Sequence, residues 1–262
     1  MRYENKTAII TGGGTGIGAA VARRLADEGA SLALIGRRRE PLEAIAAETG
    51  AAIFQADAAD GAAMATATAG IVERFGGIDV LVANAGGHGA GATVEMSDET
   101  WALATRLNLG TAFVSARACL PSLIERKGAI VVVSSIAGLF AAPEAIGYIT
   151  MKHALIGLAK SLARDYGRKG VRTNTVCPGW VRTPMADEEM QMIMEMHGLA
   201  SLDEAYALVT KDVPLGRAAL PQDVANAIAF LASSEASMIN GAVLTIDGGA
   251  GTVDLPTLAF QS

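Results

Sequence analysis

Seven short apolar runs punctuate the chain: Thr7–Ile10, Ser31–Ile35, Ala52–Ala56, Ile78–Ala83, Ala129–Val133, Val171–Val176 and Ala242–Ile246. Each is strand length and bounded by glycine or polar residues, which is the pattern of a buried strand. Between them the apolar positions recur at helical spacing. Ile17 to Glu28 stops at Gly29, a glycine suited to the position just past a helix end. Pro41 opens a helix through Glu48, where proline fits a first turn. Asp60 begins a helix to Phe75, and Ser97 caps a long one from Asp98 to Ala118. Two more run from Tyr148 to Tyr166 and from Gln222 to Leu231.

Strand and helix therefore alternate, and every connection is long enough for a crossover. This predicts an α/β fold: a Rossmann-like, doubly wound parallel sheet of about seven strands with helices on both faces. No stretch reads as an interdomain linker, so residues 1–262 are expected to form one domain. The exception to the alternation is a Met-rich, irregular zone between Pro184 and Pro221, with Met185, Met190, Met192, Met194 and Met196.

Composition narrows the function classes. Hydrophobic residues make up 51% and charged residues 18%, which excludes a disordered chain. The net charge is −6 and no basic stripe is present beyond Arg37-Arg38-Arg39, so nucleic acid is not an expected partner. The two cysteines, Cys119 and Cys177, sit in apolar surroundings with no histidine close in sequence; neither a redox nor a metal role is assigned. Met1 lies almost directly before the first strand, without a signal peptide or an apolar run near membrane-spanning length. A soluble, cytoplasmic protein with no membrane partner is expected.

The chemistry concentrates at two places. The first is Thr11-Gly12-Gly13-Gly14-Thr15-Gly16-Ile17-Gly18, between the first strand and the first helix. Glycines let backbone approach a pyrophosphate, and the helix N-terminus favours its charge. At the second strand end a dinucleotide site often carries an acid for the adenosine 2′-hydroxyl. Here Gly36 is followed by Arg37, a guanidinium suited to a 2′-phosphate, so NADP is favoured with NAD as the alternative. Asp57 is a candidate for the adenine amino group. Asn84-Ala85-Gly86 ends the fourth strand and brings backbone toward the cofactor. The second place is Ser135 to Lys152. Tyr148 and Lys152 are four residues apart on one helix face, and Ser135 leaves a strand end toward them.

TGGGTGIG at 11–18, ANAG at 83–86, LNLG at 107–110, SSIAG at 134–138, YITMK at 148–152 and CPGWVRTPM at 177–185 occur in order along the chain. Together they resemble the short-chain dehydrogenase/reductase family over nearly its whole length. Ala83 stands where the family pattern usually has asparagine. The resemblance implies a catalytic tetrad of Asn108, Ser135, Tyr148 and Lys152. Ser135 is chosen over Ser134 because thirteen residues separate it from Tyr148, as in family members. It further implies that Pro178, Gly179, Val181 and Thr183 contact the nicotinamide, that Asn108 bends its helix and holds a proton-relaying water, and that the segment near 184–221 is the substrate loop. Dimers or tetramers are usual in the family; the strand end Gly241–Ile246 and the tail Thr252–Ser262 would suit such a homotetramer or homodimer.

These residues define an expected reaction. A ketone and a secondary alcohol are interconverted by hydride transfer, with Tyr148 as acid/base. Lys152 and an oxidised nicotinamide are expected to lower the phenol from its free value of about 10, while Ser135 holds the substrate oxygen. For the substrate pocket, His88, Glu144, Trp180 and Met185 are candidates. Their respective alternatives are a solvated loop histidine, a solvent-facing acid, core packing, and a helix that buries its methionines. The methionines favour a hydrophobic small molecule. A 3-oxoacyl thioester reductase, a non-catalytic dinucleotide-binding regulator, and a lyase or epimerase that uses nicotinamide catalytically remain alternatives.

Overall fold

A computed structural model describes residues 1–260. Gln261 and Ser262, the last residues of the tail expected at an interface, lie outside the described residues. Seven parallel strands form one sheet: β1 (Thr7–Thr11), β2 (Ser31–Gly36), β3 (Ala52–Gln55), β4 (Val80–Ala83), β5 (Ala129–Val133), β6 (Arg172–Pro178) and β7 (Val243–Ile246). Their order is β3-β2-β1-β4-β5-β6-β7. The winding reverses between β1 and β4, so a crevice opens there at the carboxyl edge.

Nine α-helices accompany the strands among the described residues: α1 (Gly16–Asp27), α2 (Arg39–Thr49), α3 (Gly61–Phe75), α4 (Asp98–Thr105), α5 (Thr111–Arg126), α6 (Ile146–Tyr166), α7 (Pro184–His197), α8 (Leu202–Val209) and α9 (Pro221–Ala232). The period-two alternation of each strand divides the core. Ala8, Ile10, Leu32, Leu34, Val80 and Val82 face one layer, with α1, α2 and α9. Ile9, Ala33, Ile35, Leu81, Ile130 and Val132 face the other, with α3, α5 and α6. Both faces of β1, β4 and β5 are buried, which is why these strands are apolar throughout rather than alternating.

Two expectations need correction. The helix expected to end at Ala118 continues to Arg126 through Pro121. It is also not uniform: Arg106–Gly110 forms a π-helical turn between α4 and α5. The combined rod, Asp98–Arg126, is long and apolar enough to cross a membrane by length and mean hydropathy, 1.2 over its best window. Half of that window is buried inside the protein, as expected of a core helix.

The second correction concerns the irregular zone. It contains α7 and α8, joined at Gly198, which takes a left-handed φ of 64°. Thr183 and Ser201 cap these helices by accepting the amides of Ala186 and Glu204. The pair has a small core of its own in Ala186, Met190, Ala205, Tyr206 and Ala218. Met190 is fully buried there, whereas Met192 and Met196 are exposed.

Candidate active site

The glycine loop is held by backbone contacts that side chains would break. Gly12 has φ 66° and Gly16 φ 53°, the left-handed region that glycine adopts without a Cβ clash. A Cβ on Gly18 would lie 2.2 Å from the Gly12 carbonyl oxygen. Thr11 and Asn84 clip this loop to the end of β4. Thr11 Oγ1 accepts the amides of Asn84 and Ala85 at 3.0 and 3.1 Å. Asn84 Nδ2 donates to the carbonyls of Thr11 and Gly12 at 3.0 and 3.3 Å. Thr15 precedes α1 without a side-chain cap, so the first amides of that helix are left for another acceptor. A Cβ on Gly16 would meet Thr183 Cγ2 at 3.1 Å, which puts the Pro178–Thr183 segment across from the loop. Gly14 packs close to Pro41, while Ile17 is half-buried against the core. A glycine cradle with uncapped helix amides fits a pyrophosphate.

At the end of β2, Arg37 and Arg38 are exposed and form no ion pair among the described residues; Arg39 pairs with Glu43 at 2.7 Å. The Arg37 carbonyl accepts from Gln55 at 2.9 Å, which fixes the backbone there. Two free guanidinium groups and no acid on the strand end suit a phosphate. Asp57 is more engaged than expected. One carboxylate oxygen accepts the Ala59 amide at 2.9 Å, and the other pairs with Arg106 at 2.6 Å.

The second cluster meets at the ends of β5 and β6. Ser135 caps the short turn Ile136–Gly138, and its hydroxyl reaches the Pro178 carbonyl at 3.5 Å. Ser134 is used differently, since its hydroxyl is buried and donates to the Lys152 carbonyl at 2.8 Å. Lys152 Nζ lies 5.3 Å from the centre of the Tyr148 ring and donates to the Val133 carbonyl at 3.2 Å. Burial drives the Lys152 ammonium down to about 8 from 10.5. The Tyr148 phenol moves the other way. Burial raises it first, the Ser135 hydroxyl opposes, and the negative charge of Glu189 raises it again. The phenol thus lies above its ordinary value, because loss of water around the phenolate outweighs the Ser135 hydrogen bond.

Asn108 sits in the π-helical turn, 1% exposed. Its Oδ1 accepts the Gly87 amide at 3.2 Å, and its Nδ2 donates to the carbonyls of Ala104 and His88 at 3.1 and 3.4 Å. A Cβ on Gly86 would be 3.3 Å from Asn108 Oδ1 and 3.8 Å from Lys152 Nζ, so these three positions adjoin. An inserted residue of this kind breaks the helical ladder, a feature frequent at functional sites.

Backbone bonds set the mouth of the site. The Gly89 carbonyl accepts the Tyr148 amide at 3.0 Å, the Glu144 carbonyl accepts from Gly91 at 2.7 Å, and the Gly91 carbonyl accepts from Ile146 at 3.3 Å. Glu144 therefore matters through its backbone, which takes a left-handed φ of 53°; its side chain is exposed rather than enclosed by a pocket. Trp180 packs against the small core of α7 and α8, and Met185 is 40% exposed on the first turn of α7. Pro178 and Val181 are buried, and Gly179 lies against Asp247, where a Cβ would come within 3.1 Å of its Cα.

His88 is half-exposed and faces two carboxylates of α7: Glu188 at 3.4 Å from Nε2 and Glu189 at 3.5 Å from Nδ1. Sequence reasoning weighed the basic charge of this segment and overlooked its acids. The signal was present in Asp187-Glu188-Glu189, in the first turns of the segment. A separate cavity of about 560 Å³ lies at the opposite edge of the sheet and includes Arg2, Lys6, Asp79 and Arg126. There Asp79 takes both Lys6 and Arg126, and Arg2 takes Glu28 and Glu235.

Comparison with known proteins agrees with this geometry. Residues 12–251 match the family profile described as enoyl-(acyl carrier protein) reductase. The chain is 48% identical over 261 residues to protein MoaE of Klebsiella aerogenes, covering 97% of this chain and 99% of that one. It is 37% identical over 257 residues to meso-2,3-butanediol dehydrogenase of Serratia marcescens, covering 97% and 98%. A solved structure of actinorhodin polyketide ketoreductase with NADPH superposes with a TM-score of 0.89 at 34% identity, covering 95% and 98%. A parallel sheet in this order, a glycine cradle at its switch point and these relatives over nearly full length lead to one assignment: the chain belongs to the short-chain dehydrogenase/reductase family.

Proposed function

We propose that this chain, an NAD(P)-dependent oxidoreductase interconverting a ketone and a secondary alcohol, prefers NADP(H) and moves its proton through Tyr148. The observation that carries the mechanism is the convergence of Ser135, Tyr148 and Lys152 beside the glycine cradle. When bound, the nicotinamide supplies or accepts the hydride. The protein's own groups handle the oxygen. Ser135 donates to the substrate oxygen and shares its developing charge. Tyr148 Oη takes the alcohol proton or returns it to the alkoxide. Lys152, buried and anchored on Val133, holds a positive charge next to the ring. Asn108 fixes the π-helical turn against Gly87 and His88, within reach of Lys152 through Gly86.

The NADP preference rests on Arg37 and Arg38, free at the end of β2. Gly12, Gly14, Thr15, Gly16, Ile17 and Gly18 would hold the pyrophosphate, and Pro178, Gly179, Val181 and Thr183 would line the nicotinamide. Asp57 would meet the adenine with the Arg106 ion pair still in place. Residues 184–221 would form the substrate loop within a single domain of 1–262. Of the methionines that favoured an apolar substrate, Met190 fills the loop's own core, while Met185 is exposed. A homodimer or homotetramer is proposed on the exposed apolar side chains of Leu103, Phe113 and Leu244. A cytoplasmic compartment suits Cys119 and Cys177, which are free and buried.

Oxidation of a panel of secondary alcohols, followed by reduced-nicotinamide absorbance with each coenzyme, tests this reading. Tyr148→Phe is expected to abolish turnover while NADPH still binds, by fluorescence titration. Continued turnover in that variant would refute the role of Tyr148.

A further inference from the structure

The end of β5 presents three consecutive residues to the site, and each holds a different part of it. The Val133 side chain belongs to the core layer of α1, α2 and α9. By strand alternation the next side chain, Ser134, points to the other face, where α6 packs. The Ser134 amide donates to the Val176 carbonyl at 2.9 Å, which carries the β5–β6 pairing one residue past Val133. The hydroxyl of Ser134 therefore starts from backbone fixed in the sheet.

Ser134 is 3% exposed. A buried hydroxyl has to find a partner, and the partner is the informative part. Ser134 Oγ donates to the Lys152 carbonyl at 2.8 Å. That carbonyl lies in the second turn of α6. A carbonyl has two lone pairs, so it can accept from outside without leaving its own helix. Lys152 is thus held at both ends from one strand: its carbonyl by Ser134, and its Nζ by the Val133 carbonyl at 3.2 Å. Ser135 follows with the hydroxyl assigned to the substrate oxygen.

Gly138 closes the turn that Ser135 caps. Its φ is not left-handed, so backbone conformation does not demand glycine there. Space does. A Cβ would stand 2.7 Å from both the Lys152 carbonyl oxygen and Ser134 Oγ. The missing side chain lets the turn, the Ser134 hydroxyl and α6 close on one another at Lys152. The lysine needs such a frame, because its ammonium rides on four flexible methylenes. Among the described residues the Val133 carbonyl is the one hydrogen-bond partner of Nζ. Where Nζ stands beside the Tyr148 ring, 5.3 Å from its centre, depends on where α6 lies against β5.

We propose that Ser134 is a positioning residue for the proton transfer: its hydroxyl, bonded to the Lys152 carbonyl in the space left by Gly138, sets the place of the Lys152 ammonium beside Tyr148. The two adjacent serines divide the work, Ser135 facing the substrate oxygen and Ser134 the backbone of the lysine. This rests on the ketone–alcohol reading above.

The test uses the secondary alcohol that wild type oxidises fastest with NADP. In Ser134→Ala, kcat is expected to fall roughly 10- to 100-fold, the range for misplacing a catalytic group by about 1 Å. The alcohol KM is expected to stay within about twofold, because Ser135 remains. Ser134→Cys keeps a similar volume and only a weak donor, and its kcat is expected to fall between the two. Gly138→Ala keeps the hydroxyl, intrudes on its bond, and is expected to show the same split as Ser134→Ala. Ser122→Ala is the control. Ser122 is a buried serine on α5 whose hydroxyl accepts the Ile78 amide at 2.8 Å, before β4 and so at the opposite edge of the sheet. That variant is expected to lose stability and keep kcat and KM. A wild-type kcat in Ser134→Ala, or an equal fall in Ser122→Ala, overturns the proposal. Should Ser134→Ala fail to fold, a wild-type kcat in Ser134→Cys overturns it.

A second measurement needs no turnover. Denaturant midpoints for Ser134→Ala are taken in the wild-type and Lys152→Met backgrounds. A hydroxyl that places the ammonium should shift the midpoint further when the ammonium is present, since both anchors of Lys152 then fail together. Equal shifts would mean that Ser134 only ties α6 to β5, and would overturn the proposal. Unequal shifts without wild-type turnover of any alcohol would sink the ketone–alcohol reading and keep the placement of the ammonium. Turnover with equal shifts would do the reverse.

Discussion

Gly18→Ala is the smallest change that tests how the cofactor cradle is built. The added Cβ would sit 2.2 Å from the Gly12 carbonyl oxygen and 2.8 Å from Asn84 Nδ2, where real Cβ contacts are essentially never under 3.0 Å. The loop must move by about 0.8 Å to relieve the first contact. It is poorly able to do so. The Gly12 amide donates to Ile35 at 2.8 Å, and Asn84 holds both Thr11 and Gly12. Moving Gly12 strains these bonds, and overpacking of this kind costs about 1–3 kcal/mol. We expect NADPH affinity to fall by about 2–3 kcal/mol, roughly 30- to 160-fold in Kd. Fluorescence titration of NADPH reads this directly. Gly157→Ala is the matched control. Gly157 lies inside α6, and a Cβ there meets nothing within 4 Å. That variant should gain about 0.5–1 kcal/mol of stability from helix propensity and bind NADPH as wild type does. Wild-type affinity in Gly18→Ala would refute the argument that the Gly12–Gly18 contact sets the cradle.

The buried Lys152 ammonium gives a prediction about pH. Its value is about 8 folded against 10.5 for the free group, so between these values the unfolded chain binds more protons and stability rises with pH. Below pH 8 the full penalty applies, about 3 kcal/mol. Lys152→Met should therefore raise stability toward denaturant near pH 7, lose that advantage by about pH 10.5, and have no activity. Equal or lower stability of the variant near neutrality would contradict the burial penalty. Arg37→Ala should weaken NADPH binding by about 1.5–3 kcal/mol and leave NADH within about twofold; equal losses for both coenzymes would remove Arg37 from the phosphate.

Local signals in the sequence were enough where the chemistry is local. Asp60 accepts two amides as the cap of α3, Ser97 accepts one as the cap of α4, and Gly29 has the left-handed φ of 91° that its place after α1 requires. β4 and β5 were legible because both their faces are buried and their residues are apolar throughout. What escaped depends on distant contacts. Pro121 lies inside α5, whose inward face is held by Ala116, Cys119, Leu120 and Leu123. The π-helical turn is pinned by Asn108 bonds to a loop some 20 residues earlier. Composition in the Met-rich zone does not reveal that Met190 turns inward to Tyr206 and Ala205. Tyr148 and Lys152 could be paired by spacing alone. Glu189 meets His88 only through the return of α7, a relation between residues about 100 positions apart that no periodicity reports.

The bonds from Gly89 and Gly91 to residues 144–148 separate two tasks that share a few residues of chain. Tyr148 is located by main-chain atoms, and so is Glu144, whose side chain stands in solvent. Side chains from Ala141 to Ala145 can therefore be exchanged without displacing the phenol. An ancestor with this arrangement could vary these side chains while keeping its proton chemistry intact, and laboratory libraries confined to that stretch should yield active enzyme far more often than dead enzyme.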